Sequence, residues 1–195
     1  RSLHFMWRTI ILVIAVTNVL GGELELIRKF NFSQEGGPND PAGISFAADG
    51  GFYLSEPSTG RVFRFDTSGV ILSSVTGNGT DRMERPVGLS RGRGFALYAA
   101  DTDGRKLFRL SDDLTQISSF DAEIISGNSR FHPFSAAVSK EGLLYVADEH
   151  EGYILTVRQD GTAEPFFRQT SSRSVQNIEA SAIAAFRNVY VADKK

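Results

Sequence analysis

His132 and His150 are the side chains of this chain best suited to chemistry. A neutral imidazole beside a carboxylate can carry a proton in either direction or bind zinc, and Asp148 and Glu151 flank His150. His132, Asp148 and His150 are thus the weak candidates for holding a divalent metal such as calcium or zinc, or for acid–base work. No paired spacing such as His-x-x-x-His occurs, so two surface or hydrogen-bonded histidines remain the plain alternative. Asp40, Arg85, Arg105 and Arg130 belong to segments expected on the same face. The three guanidinium groups could cradle an anionic ligand; ordinary solvated loop charge is the competing reading. Arg130-Phe131-His132 is the one spot that combines cation, aromatic ring and imidazole. Ser55 and Ser135 have no matched base, and no nucleophile elbow, phosphate loop or metal-ligand motif is present. These residues point to ligand binding without catalysis and without a cofactor.

A repeat must position them. Tyr53, Tyr98, Tyr145 and Tyr190 each open the same phrase, Tyr-x-x-acid, and stand 45, 47 and 45 residues apart. A fixed period of roughly 40–50 residues built from short β-type runs is the mark of propeller blades. Twelve residues before each tyrosine lie Pro41, Pro86, Pro133 and Ile178; ten before lie Gly43, Gly88, Ser135 and Ala180. The proline rigidifies the entry to a strand, and the small residue suits an innermost strand where blades crowd the axis. Phe63/Phe65, Phe108/Leu110 and Leu155/Val157 alternate as one buried strand face does. The fold expected is all-β, a propeller of four-stranded antiparallel blades. Blades run over about 43–76, 87–122 and 134–168, with a partial blade over 181–195. Leu24, Leu26 and Phe30 match the outermost strand of a preceding blade. Three and a half blades would leave apolar faces uncovered, so a fragment of a longer ring is expected. The alternative is a four-bladed ring closed by the strand at 24–31.

The acid ending each phrase (Glu56, Asp101, Asp148, Asp193) looks at first like a ring of metal ligands. An acid just after a strand more commonly accepts backbone N–H bonds and fixes its own loop. Its return in every copy favours that architectural role, alongside Gly43, Gly88 and the four tyrosines. Arg61, Arg64, Lys106, Arg109 and Arg158 on the third strands are expected to form a solvated blade face, their stems covering apolar surface.

Composition narrows the function classes. A net charge of −2 argues against a general nucleic-acid surface. With no cysteine, disulfides, thiol chemistry and Cys-based metal sites are excluded. Arg1, His4 and Arg8 precede an apolar run, Thr9–Leu20, closed by Gly21-Gly22. That pattern predicts a signal peptide over 1–22 and a secreted or extracytoplasmic protein. An uncleaved anchor, the one route to membrane association, and a buried strand are the alternatives. Asn31-Phe32-Ser33 and Asn78-Gly79-Thr80 fit the glycosylation pattern, which matters only in a eukaryotic secretory route.

Pro41-Ala42-Gly43-Ile44, Pro86-Val87-Gly88-Leu89, Tyr145-Val146-Ala147-Asp148, Tyr190-Val191-Ala192-Asp193 and the third-strand run Arg61–Asp66 resemble the NHL-repeat family over residues 24–195. Glu56 for Asp, Ser135-Ala136 for Gly-Ile and Ile178 for proline depart from its pattern. The resemblance implies an open-centred ring, commonly of six blades, and a scaffold that binds protein, peptide or carbohydrate on its loop face. Its implied alternative is a metal-dependent lactonase or lyase of the gluconolactonase-like or amidating-lyase-like kind. RNA binding, known in tripartite-motif relatives, fits an acidic exported chain poorly. Oligomeric state is left open.

Overall fold

The computed structural model describes residues 12–17, 24–30, 36–168 (except 93, 95, 151, 159 and 161), 180–185 and 189–193. Two strands, β1 (Leu12–Thr17) and β2 (Leu24–Phe30), pair as an antiparallel hairpin. The first blade is β3 (Ile44–Phe46), β4 (Phe52–Glu56), β5 (Arg61–Phe65) and β6 (Ile71–Val75), hydrogen-bonded in that order. A small hairpin, β7 (Gly77–Asn78) and β8 (Asp81–Arg82), leads to the second blade. That blade is β9 (Pro86–Arg91), β10 (Ala96–Asp101), β11 (Lys106–Ser111) and β12 (Ile117–Asp121). A short helix, α1 (Ala122–Ser126), precedes the third blade: β13 (Pro133–Val138), β14 (Leu144–Asp148), β15 (Tyr153–Val157) and β16 (Ala163–Arg168). Last comes the pair β17 (Ala180–Ala185) and β18 (Val189–Asp193).

The fold is the expected all-β propeller of four-stranded antiparallel blades. The apolar run read as a leader contains β1, and β2 is bonded to β1 rather than to β18, so strand 24–31 does not close a four-bladed ring. Asn31 lies outside the described residues, as do the side chains of Tyr190 and Asp193.

Strand alternation explains the core. On β4, Phe52 and Leu54 point one way and Tyr53 and Ser55 the other. Tyr53 and Val62 pack on Leu97, Ala99, Phe108 and Leu110 of the second blade. Tyr98 and Leu107 of that blade pack on Val146, Leu155 and Val157 of the third. Tyr145, Ala147 and Ile154 meet Ile183 of β17. The repeating tyrosine is therefore the residue each blade turns toward its successor. Burying each such aromatic or aliphatic side chain stabilises by about 2 kcal/mol. Tyr53 adds a polar tie across blades, its hydroxyl donating to Asp112 Oδ1 at 2.7 Å.

Arg64 departs from the solvated face expected for the third-strand bases. Alternation puts it on the same face as Tyr53, its cross-strand partner, and the next blade covers that face. Only 6% of Arg64 is exposed. Its guanidinium lies 5.0 Å from the Tyr53 ring centroid, donates to the Phe65 carbonyl and pairs with Asp49. The charge is accommodated because a ring face and two acceptors surround it. Arg109 and Arg158 are exposed as expected.

A second repeating acid closes the turn between third and fourth strands. Asp66, Asp113 and Asp160, 47 residues apart, each accept the N–H and the hydroxyl of the residue two further on: Ser68, Thr115 and Thr162. The Ser111 hydroxyl, with Thr115, pulls the Asp113 carboxyl down to about 2. A lowered folded pKa stabilises the fold above the unfolded value, and that part is lost as pH falls. Asp113→Asn should therefore flatten the loss of unfolding free energy between about pH 4 and about pH 2. Urea titrations across that range would show it; an unchanged slope contradicts the assignment.

Candidate functional site

The acid ending each second strand is a clamp on the loop entering its own blade. Glu56 accepts the N–H groups of Asn39 and Asp40, and the Thr59 hydroxyl. Asp101 accepts those of Glu84 and Arg85, the latter at 2.6 Å. Asp148 accepts His132 N–H at 2.6 Å and His150 N–H at 2.9 Å. The residue bound 16 positions upstream is Asp40, Arg85 or His132. Asp101 and Asp148 are fully buried. Burial raises the Asp101 carboxyl above the ordinary range, against the pull of the Glu84 and Arg85 N–H groups. In the three described copies the acids therefore serve the architecture. With its oxygens engaged by the two histidine amides, Asp148 is poorly disposed as a metal ligand.

This clamp brings the two imidazoles together. His132 enters β13 and His150 follows β14, and one carboxylate holds both backbones. Their ring centroids lie 5.6 Å apart at 59°. His132 Nδ1 is 3.2 Å from the Thr102 carbonyl, while His150 Nε2 is 3.3 Å from Glu149 Oε2. That same Glu149 oxygen takes Arg85 Nη2 at 2.8 Å, and Arg85 Nε reaches Asp103 at 2.7 Å. Partial burial opposes the Arg85 charge, but Asp103 and Glu149 outweigh it and raise its pKa. Arg85 thus ties the second blade to the third.

The other expected site residues are spread along the same loop face. Asp40 occupies the equivalent loop of the first blade. Arg105, in a left-handed conformation at φ 52°, pairs with Glu123 at 3.4 Å. Arg130 lines a groove of about 370 Å³ with Asn128, Phe131, Tyr153 and Pro165. Arg85 and Arg105 are each matched with carboxylates, so the geometry gives the anion cradle little support. Among the described residues no group of three or more His, Asp or Glu is arranged to hold a metal. Sequence reasoning missed Thr102, Asp103 and Glu149. Their one signal is position: all three follow a repeat acid in the loop between second and third strands. Glu151 lies outside the described residues.

On the axis, Gly43, Gly88, Ser135 and Ile183 line an opening of about 350 Å³ between innermost strands. Among the described residues no helix is long and apolar enough to cross a membrane.

No family model and no curated protein matches the chain. Solved propeller-like structures do. A streptogramin B lyase superposes with TM-score 0.66 at 15% identity, over 85% of this chain and 51% of that one. A catalytically inactive histidine-to-alanine variant of virginiamycin B lyase from Staphylococcus aureus, with quinupristin, gives 0.63 at 14%, over 93% and 70%. A putative gluconolactonase gives 0.58 at 18%, over 88% and 59%. The chain is a β-propeller and spans about half the length of the streptogramin B lyase. At these identities the likeness establishes fold alone.

Proposed function

We propose that this chain belongs to an NHL-like propeller whose loop face binds a protein, peptide or carbohydrate ligand around His132 and His150. One observation carries the reading: a single buried carboxylate fixes both histidine backbones, so the rings stand 5.6 Å apart on a preformed surface. Function on propellers concentrates in such loops. The paired arginines and the net charge of −2 leave nucleic acid a poor partner. Export through residues 1–22, and completion of the ring by further blades, belong to the same proposal. The N-terminal mass of the protein recovered outside the expressing cell tests the first. For the binding face, NMR titration against peptide and oligosaccharide libraries should shift both histidine signals together, and His132→Ala/His150→Ala should lose the response while staying folded. Ligands that shift other faces and spare this pair would overturn the reading.

One observation favours turnover as a second reading. His132 is held by a carbonyl through Nδ1, the way enzymes orient a proton-transferring imidazole. Likeness to a streptogramin B lyase, to a virginiamycin B lyase with quinupristin and to a putative gluconolactonase makes quinupristin and sugar lactones the substrates to test. Turnover abolished by the double histidine variant supports it; turnover unaltered in that variant removes it.

A further inference from the structure

A nitrogen facing a carbonyl oxygen must carry the proton, because the carbonyl only accepts. The Thr102 carbonyl is itself immobile. Thr102 is fully buried, its N–H donates to Arg85 O at 3.1 Å and its hydroxyl donates to Pro133 O at 2.8 Å. That carbonyl has two lone pairs: Arg105 N–H takes one at 3.3 Å and His132 Nδ1 is 3.2 Å away. In the neutral ring the lone pair then sits on Nε2. No residue of the described chain bonds Nε2. Among the described residues the only buried side-chain nitrogens or oxygens without a partner are Arg61 Nε and Arg105 Nε, so Nε2 is open to the loop face. On the same loop face, Arg85 and Arg105 are met by Asp103, Glu149 and Glu123. Acids outnumber arginines in this network, which disfavours an anion and favours a cation.

We propose that the Thr102 carbonyl locks His132 in the Nδ1–H tautomer, making Nε2 an acceptor subsite for a hydrogen-bond donor, above all the ammonium group of an amine. The subsite rests on the loop-face reading and names the ligand chemistry it selects. Thr102 is a positioning residue here, acting through its backbone. The first measurement needs no ligand. A long-range 1H–15N spectrum of the 195-residue chain, at a pH where the ring is neutral, should show His132 protonated at Nδ1. Protonation at Nε2 would overturn the lock and leave the loop-face reading standing. The second measurement titrates propylammonium, glycerol and propionate while following the His132 ring nitrogens. Propylammonium should shift Nε2 most, glycerol less and propionate least. His132→Ala should bind propylammonium roughly tenfold more weakly, the value of one hydrogen bond to a charged donor. Preference for propionate, or no response to propylammonium or glycerol with the tautomer confirmed, would overturn the donor subsite.

Discussion

Asp148→Ala is expected to cost about 3 kcal/mol of stability and to disperse the histidine pair. The carboxylate is fully buried and accepts two backbone N–H groups from opposite ends of the third blade's inner hairpin. Removing it leaves both half-buried donors without their acceptor. Each buried donor so orphaned costs about 1–3 kcal/mol, and bonds to an ionised acceptor lie at the upper end. Methyl-sized alanine fills none of the vacated volume, which adds to the loss. Asp148→Asn keeps one acceptor oxygen but turns an NH2 group toward a donor, so it should fall between alanine and the parent. Urea unfolding gives the energy. The histidine ring signals give the geometry, since in the variant they should respond to a ligand independently rather than together. Parent-like stability in Asp148→Ala would show that the acid is ornamental and would remove the basis for a preformed pair.

Gly43→Ala should destabilise by about 3 kcal/mol, the upper range for overpacking a close-packed interior. A Cβ at Gly43 would lie 2.2 Å from the Val87 carbonyl oxygen and 2.8 Å from Ser55 Oγ. The first obstacle is backbone of the neighbouring blade, so no side chain can turn aside. Either β3 and β9 part, or the Ser55 bonds to Gly43 N and Val87 O break. Gly88→Ala meets the same situation one blade on, where Phe134 O would be 2.6 Å and Ser135 Cα 2.8 Å away. The third copy shows the exception. Ser135 carries a Cβ there, and its hydroxyl accepts Ile183 N–H from β17 at 3.1 Å. A melting temperature unchanged in Gly43→Ala would mean that the blades are not packed as described.

Much of this architecture is legible in the chain alone. The tyrosine period marks the blades, strand alternation assigns their two faces, and the small residue ten positions earlier marks the inner strand. All three are local: period, pleat and Cβ volume are properties of a short segment repeated. The recurrent acid was legible as an acceptor of backbone N–H groups, but not the loop it holds: its partners lie 16 or 17 residues upstream, where the chain enters the blade, rather than only in its own turn.

What stayed hidden depends on blades meeting. Arg64 reads as a surface base until the second blade covers its face. Arg85 reads as a free loop cation until Glu149, 64 residues away, closes on it. Thr102 carries no signal of its own, yet its carbonyl, 30 residues from His132 in sequence, decides which imidazole nitrogen bears the proton. Sequence indicated which loops share a face, because strand register is a local matter. Only the packing of one sheet against the next decided which charges are paired and which lone pair is left for a ligand, because those contacts join segments with no common period.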